Sequence, residues 1–210
     1  MTDSLPALDA LNRLREGNRR FVSDTAASQA VLTPARRQAL IDGQSPFAII
    51  LGCSDSRVPA ELVFDQGLGD LFVIRIAGNI VAPSQIGSVE FAAEQFGTSL
   101  VVVLGHSQCG AVSATVEEII RPSGHPSRNL HSIVQRIRPA VQPLVETELR
   151  HDQHALIHHA VRANVRASAN HLRHGSELLE QLIQQGRLLV VGAEYSLETG
   201  EVEFFDGLPA

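Results

Sequence analysis

Four short stretches of this chain are apolar without alternation: FAIILG at 47–52, DLFVIRIAG at 70–78, SLVVVLG at 99–105 and LLVVGAEYS at 188–196. A strand with one face in water alternates apolar and polar residues, whereas a strand buried on both faces has no reason to. Runs of this length, rich in Val and Ile and bounded by glycine, therefore predict a sheet covered by helices on both sides. Between the second and third runs, SQIGSVEFAAEQFG (84–97) reads as a helix. Strand, helix, strand at that spacing predicts a right-handed βαβ crossover and a mainly parallel sheet. Glu198-Thr199-Gly200 marks a turn into EVEFF, expected as an edge hairpin. The expected fold class is α/β: one domain over residues 1–210, with four parallel strands plus a C-terminal edge strand, flanked by helices.

Helices are expected ahead of the sheet and late in the chain. Leu5, Leu8, Leu11, Leu14 and Phe21 recur at helical spacing among Asn12, Arg13, Arg15 and Glu16, which predicts an amphipathic helix over 5–22. Thr33-Pro34 places an N-cap before a proline at the first helical position, opening a short helix through Leu40 that ends near Gly43. Together these make an N-terminal helical arm over residues 1–45. Periodicity alone does not choose whether the arm packs on its own chain or on a partner. AVSATVEEII reads as a further helix, RPSGHPSRN (121–129) as a turn-rich stretch, and helical patterns run on to Gly186.

Charge removes several function classes. The 17 basic residues against 23 acidic ones leave a net charge of −6, which argues against nucleic acid or an anionic membrane as partner. All the basic residues are Arg and none is Lys, so neither a Schiff-base lysine nor a P-loop lysine exists here. The first twenty residues lack the basic start and apolar run of a signal peptide, and no stretch approaches the roughly 20 apolar residues that span a bilayer. A soluble cytoplasmic protein is the expectation. In a reducing compartment, two distant cysteines such as Cys53 and Cys109 point to buried thiols, catalysis or metal more than to a disulfide.

In an open parallel sheet, functional groups gather where loops leave the carboxyl ends of strands. Cys53 follows the first apolar run directly, and His106 with Cys109 follow the third. Sheet neighbours lie about 5 Å apart, so these three side chains converge if the two runs pair. Two thiolates and an imidazole suit Zn²⁺, and three protein ligands leave the fourth position that catalytic zinc keeps open. Taken singly, each cysteine is equally well a small buried hydrophobe. A redox pair needs a C-x-x-C motif or a resolving cysteine nearby, and neither is visible. Two residues beyond Cys53, Asp55 is followed by Arg57 at a spacing where a guanidinium can hold a carboxylate by two parallel hydrogen bonds. So held, Asp55 can accept a proton from a zinc-bound hydroxide or swing onto the metal as a fourth ligand. An isolated D-x-R is more often a loop salt bridge; its place beside a metal ligand reverses that reading.

The remaining histidines (His125, His131, His151, His154, His158, His159, His171 and His174) are numerous. His154 and His158 stand four apart, a spacing two ligands can share, but no Glu of an H-E-x-x-H motif accompanies them. A solvated helix face is the expectation.

CSDSRV followed some fifty residues later by GHSQCGA resembles the paired signature of the β-class carbonic anhydrases. The resemblance extends to LNRLREGNRRF, GQSPFAIILGCSDSRVP, GDLFVIRIAGNIV, GSVEFA and GAEYSLETG, and so to nearly the whole chain. It implies one zinc per chain on Cys53, His106 and Cys109, with Asp55 and Arg57 as the catalytic pair and Asp55 a fourth ligand in a closed state. It places Gln44, Phe72, Ala77, Phe91 and Gly110 at substrate-binding positions. Ala77 stands where the plant-like branch has valine, and Phe91 where it has tyrosine. Arg75 and Tyr195 match two members of a noncatalytic bicarbonate site known in one branch. Ile50 takes the place of its tryptophan, so that pocket is expected to be absent and the site to be of the plant-like, open kind.

The implied activity is reversible hydration of CO₂ to bicarbonate and a proton by attack of zinc-bound hydroxide, with thiolate ligands favouring a somewhat alkaline optimum. Homodimers, often paired into tetramers, are the implied assembly, with the N-terminal helices embracing a neighbour. Two alternatives stand beside this: hydrolysis of carbon disulfide or carbonyl sulfide at the same zinc, and a noncatalytic zinc-binding assembly protein with Asp55 locked on the metal.

Overall fold

Each apolar run becomes a strand: β1 (Ala48–Gly52), β2 (Leu71–Arg75), β3 (Leu100–His106) and β4 (Leu189–Tyr195), with β5 (Val202–Asp206) closing the chain. The computed structural model describes residues 5–26, 33–122 and 127–209. The sheet order is β2-β1-β3-β4-β5, with the first four strands parallel and β5 antiparallel to β4. β1 and β3 are buried along their whole length, as their lack of alternation requires. The second run departs from that reading: β2 is an edge strand. Only Leu71 in it is buried, while Phe72, Val73 and Ile74 are half-buried and Arg75 is exposed.

The helices are α1 (Ala7–Val22), α2 (Pro34–Ala39), α3 (Ala60–Val63), α4 (Pro83–Phe96), α5 (Gly110–Ile120), α6 (Arg128–Val145), α7 (Gln153–His174) and α8 (Glu177–Gln184). On one face of the sheet, Leu11 and Leu14 of α1 and Val63 and Phe64 at the end of α3 pack on Ile50, Val102 and Val191. Burying each such leucine contributes about 1.5–3 kcal/mol, which fixes α1 on its own chain. Asn18 stitches this layer together: its amide donates to the carbonyls of Val63 and Gly200, at 3.1 and 2.9 Å, and its oxygen accepts from the Val202 N–H. By contrast α2 buries none of its residues; Thr33 caps it as expected, its hydroxyl accepting from the Arg36 N–H at 3.1 Å.

The other face carries α4, α7 and α8. There α7 approaches the sheet closely because Gly105 and Gly192 lie beneath Val165. A Cβ at either glycine would stand 2.5 or 2.8 Å from a Val165 methyl, closer than real Cβ contacts. Among the described residues no helix is long and apolar enough to cross a membrane. His125 and the middle of the 121–129 turn fall outside the described residues.

The topology decides where chemistry can sit. From β1 the chain moves outward to β2, then returns over β1 to β3 and continues outward on the opposite side to β4. The direction reverses between β1 and β3, and the crevice at the carboxyl ends of such a pair is where open α/β sheets bind ligands.

Candidate metal centre

That crevice holds the three predicted ligands. Gly52 of β1 pairs with Leu104 of β3, so Cys53 emerges one step from the end of its strand, close to His106 at the end of β3. Ser107 is pinned to β4: its N–H donates to the Tyr195 carbonyl and its hydroxyl accepts from the Leu197 N–H, both at 2.9 Å. Gln108 then takes a left-handed turn, φ +57°, which brings Cys109 back as the cap residue of α5. Positive φ in a residue with a side chain costs energy, and here it aims a ligand.

The ligand atoms lie within 4.8 Å of one another, and all three side chains are buried. The two sulfurs are 4.0 Å apart. Thiolates bound tetrahedrally at about 2.3 Å from zinc would stand roughly 3.8 Å apart, whereas a disulfide needs about 2.05 Å. His106 Nδ1 faces the Ser107 carbonyl at 2.9 Å and so carries a proton. Its Nε2 is buried and has no hydrogen-bond partner in the protein. A buried nitrogen left unpaired beside two sulfurs fits a metal, and the backbone bond at Nδ1 is the orienting contact that metal-ligating histidines use.

The protons of the cluster are coupled. The hydrogen bond from Cys109 is the main cause that lowers the Cys53 thiol, and the same bond, followed by burial, raises Cys109. For His106, burial pushes the imidazole down, but the neighbouring Cys53 sulfur and its charge outweigh it and the net shift is upward. These are protons that a divalent cation displaces on binding.

Asp55 stands beside the ligands. Its Oδ1 accepts from the backbone N–H and Nε of Arg57 at 3.0 and 2.9 Å, and its Oδ2 from Nη2 at 2.8 Å. The Arg57 fork holds the carboxyl well below the usual carboxylate range, and Oδ2 lies 3.8 Å from His106 Nε2. Sequence reasoning missed a second clamp. Arg75, at the end of β2, donates from Nε to the Cys53 carbonyl at 3.0 Å and from Nη2 to the Asp55 carbonyl at 2.5 Å. The resemblance matches Arg75 and Tyr195 to two members of a noncatalytic bicarbonate site expected to be absent here, and the two residues lie on β2 and β4, with β1 and β3 between them. Its only sequence signal is its place at the end of a strand.

The other predicted site residues divide. Ala77 opens the 3₁₀ turn Ala77–Asn79, beside the Gly78 N–H that donates to Cys53 Sγ at 3.4 Å, and Gly110 follows Cys109 with open space at its Cα. Both adjoin the metal ligands. Gln44, Phe72 and Phe91 do not. Phe72 pairs with Ile49, four residues before Cys53, a distance of about 13 Å along a strand. It packs on Phe91 and Phe96, with ring centroids 6.2 and 6.1 Å away. Gln44 lines a hollow with Leu40, Ile41 and Leu68, ahead of β1 and at the opposite end from Cys53. His158 lies half-exposed, 3.8 Å from Glu194. Among the described residues, Cys53, His106 and Cys109 form the only such cluster able to hold a metal.

A family model described as carbonic anhydrase matches residues 48–202. Carbonic anhydrase 2 of Mycobacterium tuberculosis is 37% identical over 199 residues, covering 94% of this chain and 92% of its own. The chain belongs to the β-class carbonic anhydrases. The Mycolicibacterium smegmatis carbonic anhydrase is also 37% identical, over 197 residues, covering 92% of this chain and 91% of its own. The structure of the β-carbonic anhydrase CcaA is 27% identical with a TM-score of 0.71, covering 95% of this chain and 92% of that one. A tetrameric β-carbonic anhydrase of Sordaria macrospora shares the fold at 24% identity and a TM-score of 0.73, covering 87% and 92%. Membership gives the chain the family's activity, reversible hydration of CO₂ to bicarbonate and a proton, and the family's metal, zinc, to which the Cys-His-Cys cluster is suited.

Proposed function

We propose that this chain hydrates CO₂ at a zinc held by Cys53, His106 and Cys109, with Asp55 accepting a hydrogen bond from the reacting water and Arg57 as its positioning partner, in an open site completed by a second copy. The observation that carries this reading is the Arg57 fork. It occupies both carboxylate oxygens of Asp55 and leaves Oδ2 facing His106 Nε2 at 3.8 Å. Zinc, when bound, supplies the Lewis acidity that makes water a nucleophile near neutral pH. Asp55 stays ionised because Arg57 donates to it, and it takes a hydrogen bond from the attacking water at Oδ2, turning a lone pair of that water toward carbon. Arg57 also keeps Asp55 off the metal, so a position remains for the reacting oxygen. Arg75 fixes the backbone on both sides of Ser54 through the Cys53 and Asp55 carbonyls. Ala77 and Gly110 leave the space beside the ligands small-walled.

Gln44, Phe72 and Phe91 serve the site of the neighbouring subunit, since none of them reaches the metal ligands of its own chain. Phe91 is 53% exposed, and Ile41, Leu62 and Leu68 are also exposed, an apolar cost that a second copy removes. The assembly is a homodimer or a pair of dimers. The cytoplasm, a reducing compartment, keeps two sulfurs 4.0 Å apart as free thiols rather than a disulfide.

Stopped-flow CO₂ hydration from neutral to alkaline pH, on protein whose zinc is measured in parallel, tests this reading. Activity across that range is expected from an open site. Activity confined to alkaline pH would mean that Asp55 leaves Arg57 for the metal. No hydration at one zinc per chain would overturn the proposal, and the same sample would then be offered carbon disulfide and carbonyl sulfide.

A further inference from the structure

The buried face of α7 is apolar at Leu156, Ala160, Val161, Val165, Ala169 and Leu172, with two exceptions. Asn164 and Ser168 are 2% and 6% exposed and sit four residues apart, one above the other on the same helix face. A buried amide and a buried hydroxyl each cost energy unless they are hydrogen-bonded, and each is, to the same three-residue turn. Asn164 Nδ2 donates to the Gly78 carbonyl at 2.8 Å, and Ser168 Oγ to the Asn79 carbonyl at 2.9 Å. The turn is held from other sides too. Gly78 has φ +69°, and a Cβ on it would meet Ile137 at 2.8 Å and Ala111 at 3.1 Å. What the turn presents to the metal centre is the Gly78 N–H, 3.4 Å from Cys53 Sγ.

We infer that Asn164 and Ser168 are positioning residues for the metal ligand Cys53, acting through the 77–79 turn. They fix the two carbonyls of the turn, and so aim the Gly78 N–H at the sulfur. An N–H donated to a thiolate withdraws charge from it and weakens its donation to the metal, so the two side chains set both where Cys53 sits and how strongly it donates. They touch neither substrate nor metal, and they lie more than fifty residues beyond the last ligand in sequence. The inference rests on the proposed ligand role of Cys53 and extends it to α7.

Cobalt-substituted protein tests it, because a thiolate bound to Co²⁺ gives a charge-transfer band whose energy reports on donation to sulfur. Asn164→Leu removes the donor while keeping the branching and the number of side-chain heavy atoms, and Ser168→Ala removes the hydroxyl with less risk to folding. In either folded variant the band is expected to move to lower energy because the sulfur donates more strongly, and a chelator to strip zinc about 10-fold faster because Cys53 is no longer held in place, the scale on which partners of metal ligands act. Ser168→Thr, which keeps a hydroxyl, is expected to restore the native band. Should Asn164→Leu fail to fold, Ser168→Ala carries the test. Native band energy and native zinc loss in the folded variants, with only the melting temperature lowered, would overturn the positioning role and leave the ligand assignment standing. A native chain with no thiolate band would overturn the ligand assignment, and this inference with it.

Discussion

The two ends of β1 carry different chemistry. At the carboxyl end the strand delivers Cys53 into a crevice where every polar group is aimed: a buried imidazole, a second thiol, a carboxylate in an arginine fork and a backbone clamp from Arg75. At the amino end lie Gln44 and, level with Ile49, Phe72 beside a half-exposed Phe91. One end is finished within the chain and the other presents groups with no site of their own. On the proposed reading, a single copy of this chain holds a metal centre and a donor surface, and catalysis joins the metal centre of one copy to the donor surface of another.

Removing a ligand should break the finished end most severely. Cys109→Ala is expected to lose zinc as measured by elemental analysis, and with it essentially all hydration activity. Full zinc content in that variant would refute the ligand set. The native protein should also release zinc as pH falls, because protons compete with the metal for both sulfurs and for Nε2, so affinity rises with pH and not the reverse. Next in size, Asp55→Asn should keep one zinc per chain while turnover drops about 10²–10⁴-fold, the usual worth of a side chain positioned on the proton of a reacting group. The Arg57 fork holds the Asp55 carboxyl below its ordinary range, so the charge of the pair is complete above the ordinary carboxylate pKa and is lost only as pH falls through the lowered one. Arg57→Gln should therefore raise the pH at which Asp55 takes up its proton, read from the carboxyl carbon shift in an NMR titration.

The unfinished end is probed by separating the copies. Phe91→Arg should shift the sedimentation of the protein toward monomer and depress hydration on the order of 10-fold or more while zinc stays bound. A fully active monomer would show that one chain needs no donor surface. Gln44→Ala, which removes one hydrogen-bond donor, is expected to cost about 10-fold in kcat/KM, equivalent to about 1.4 kcal/mol. The smallest effect belongs to an ion pair whose geometry rivals that of Asp55 and Arg57. Arg162 Nη1 and Nη2 donate to Glu203 at 2.7 and 3.0 Å, but Glu203 is 66% exposed. Glu203→Gln should change urea stability by no more than about 1 kcal/mol and leave the rate untouched.

What could be read from the residues follows from this contrast. Strands buried on both faces erase alternation, so β1, β3 and β4 were visible as apolar runs, and ligands placed directly after two of them announced the crevice. The same logic overreached at β2, whose run looks alike but forms an edge, because the apolar residues of an edge strand are written no differently from those of a central one. The clamps were invisible for another reason. Arg75 reaches Cys53 across 22 residues and Asn164 reaches Gly78 across 86, and nothing local in the chain marks either pairing. The resemblance supplied the roles of Gln44, Phe72 and Phe91, but the register of β1 with β2 is what places Phe72 level with Ile49, away from the metal ligands of its own chain.

Gly105, Gly192 and Val165 have a consequence for how this protein can change over generations. Because the valine methyls lie where a Cβ at either glycine would go, an alanine at one of the strand positions must be accompanied by a smaller residue on the helix, or the helix is displaced. Such a displacement would carry the neighbouring Asn164 with it, so the three sites are expected to drift as a linked set in the ancestry of this chain, each step restrained by a metal centre to which none of them gives a ligand.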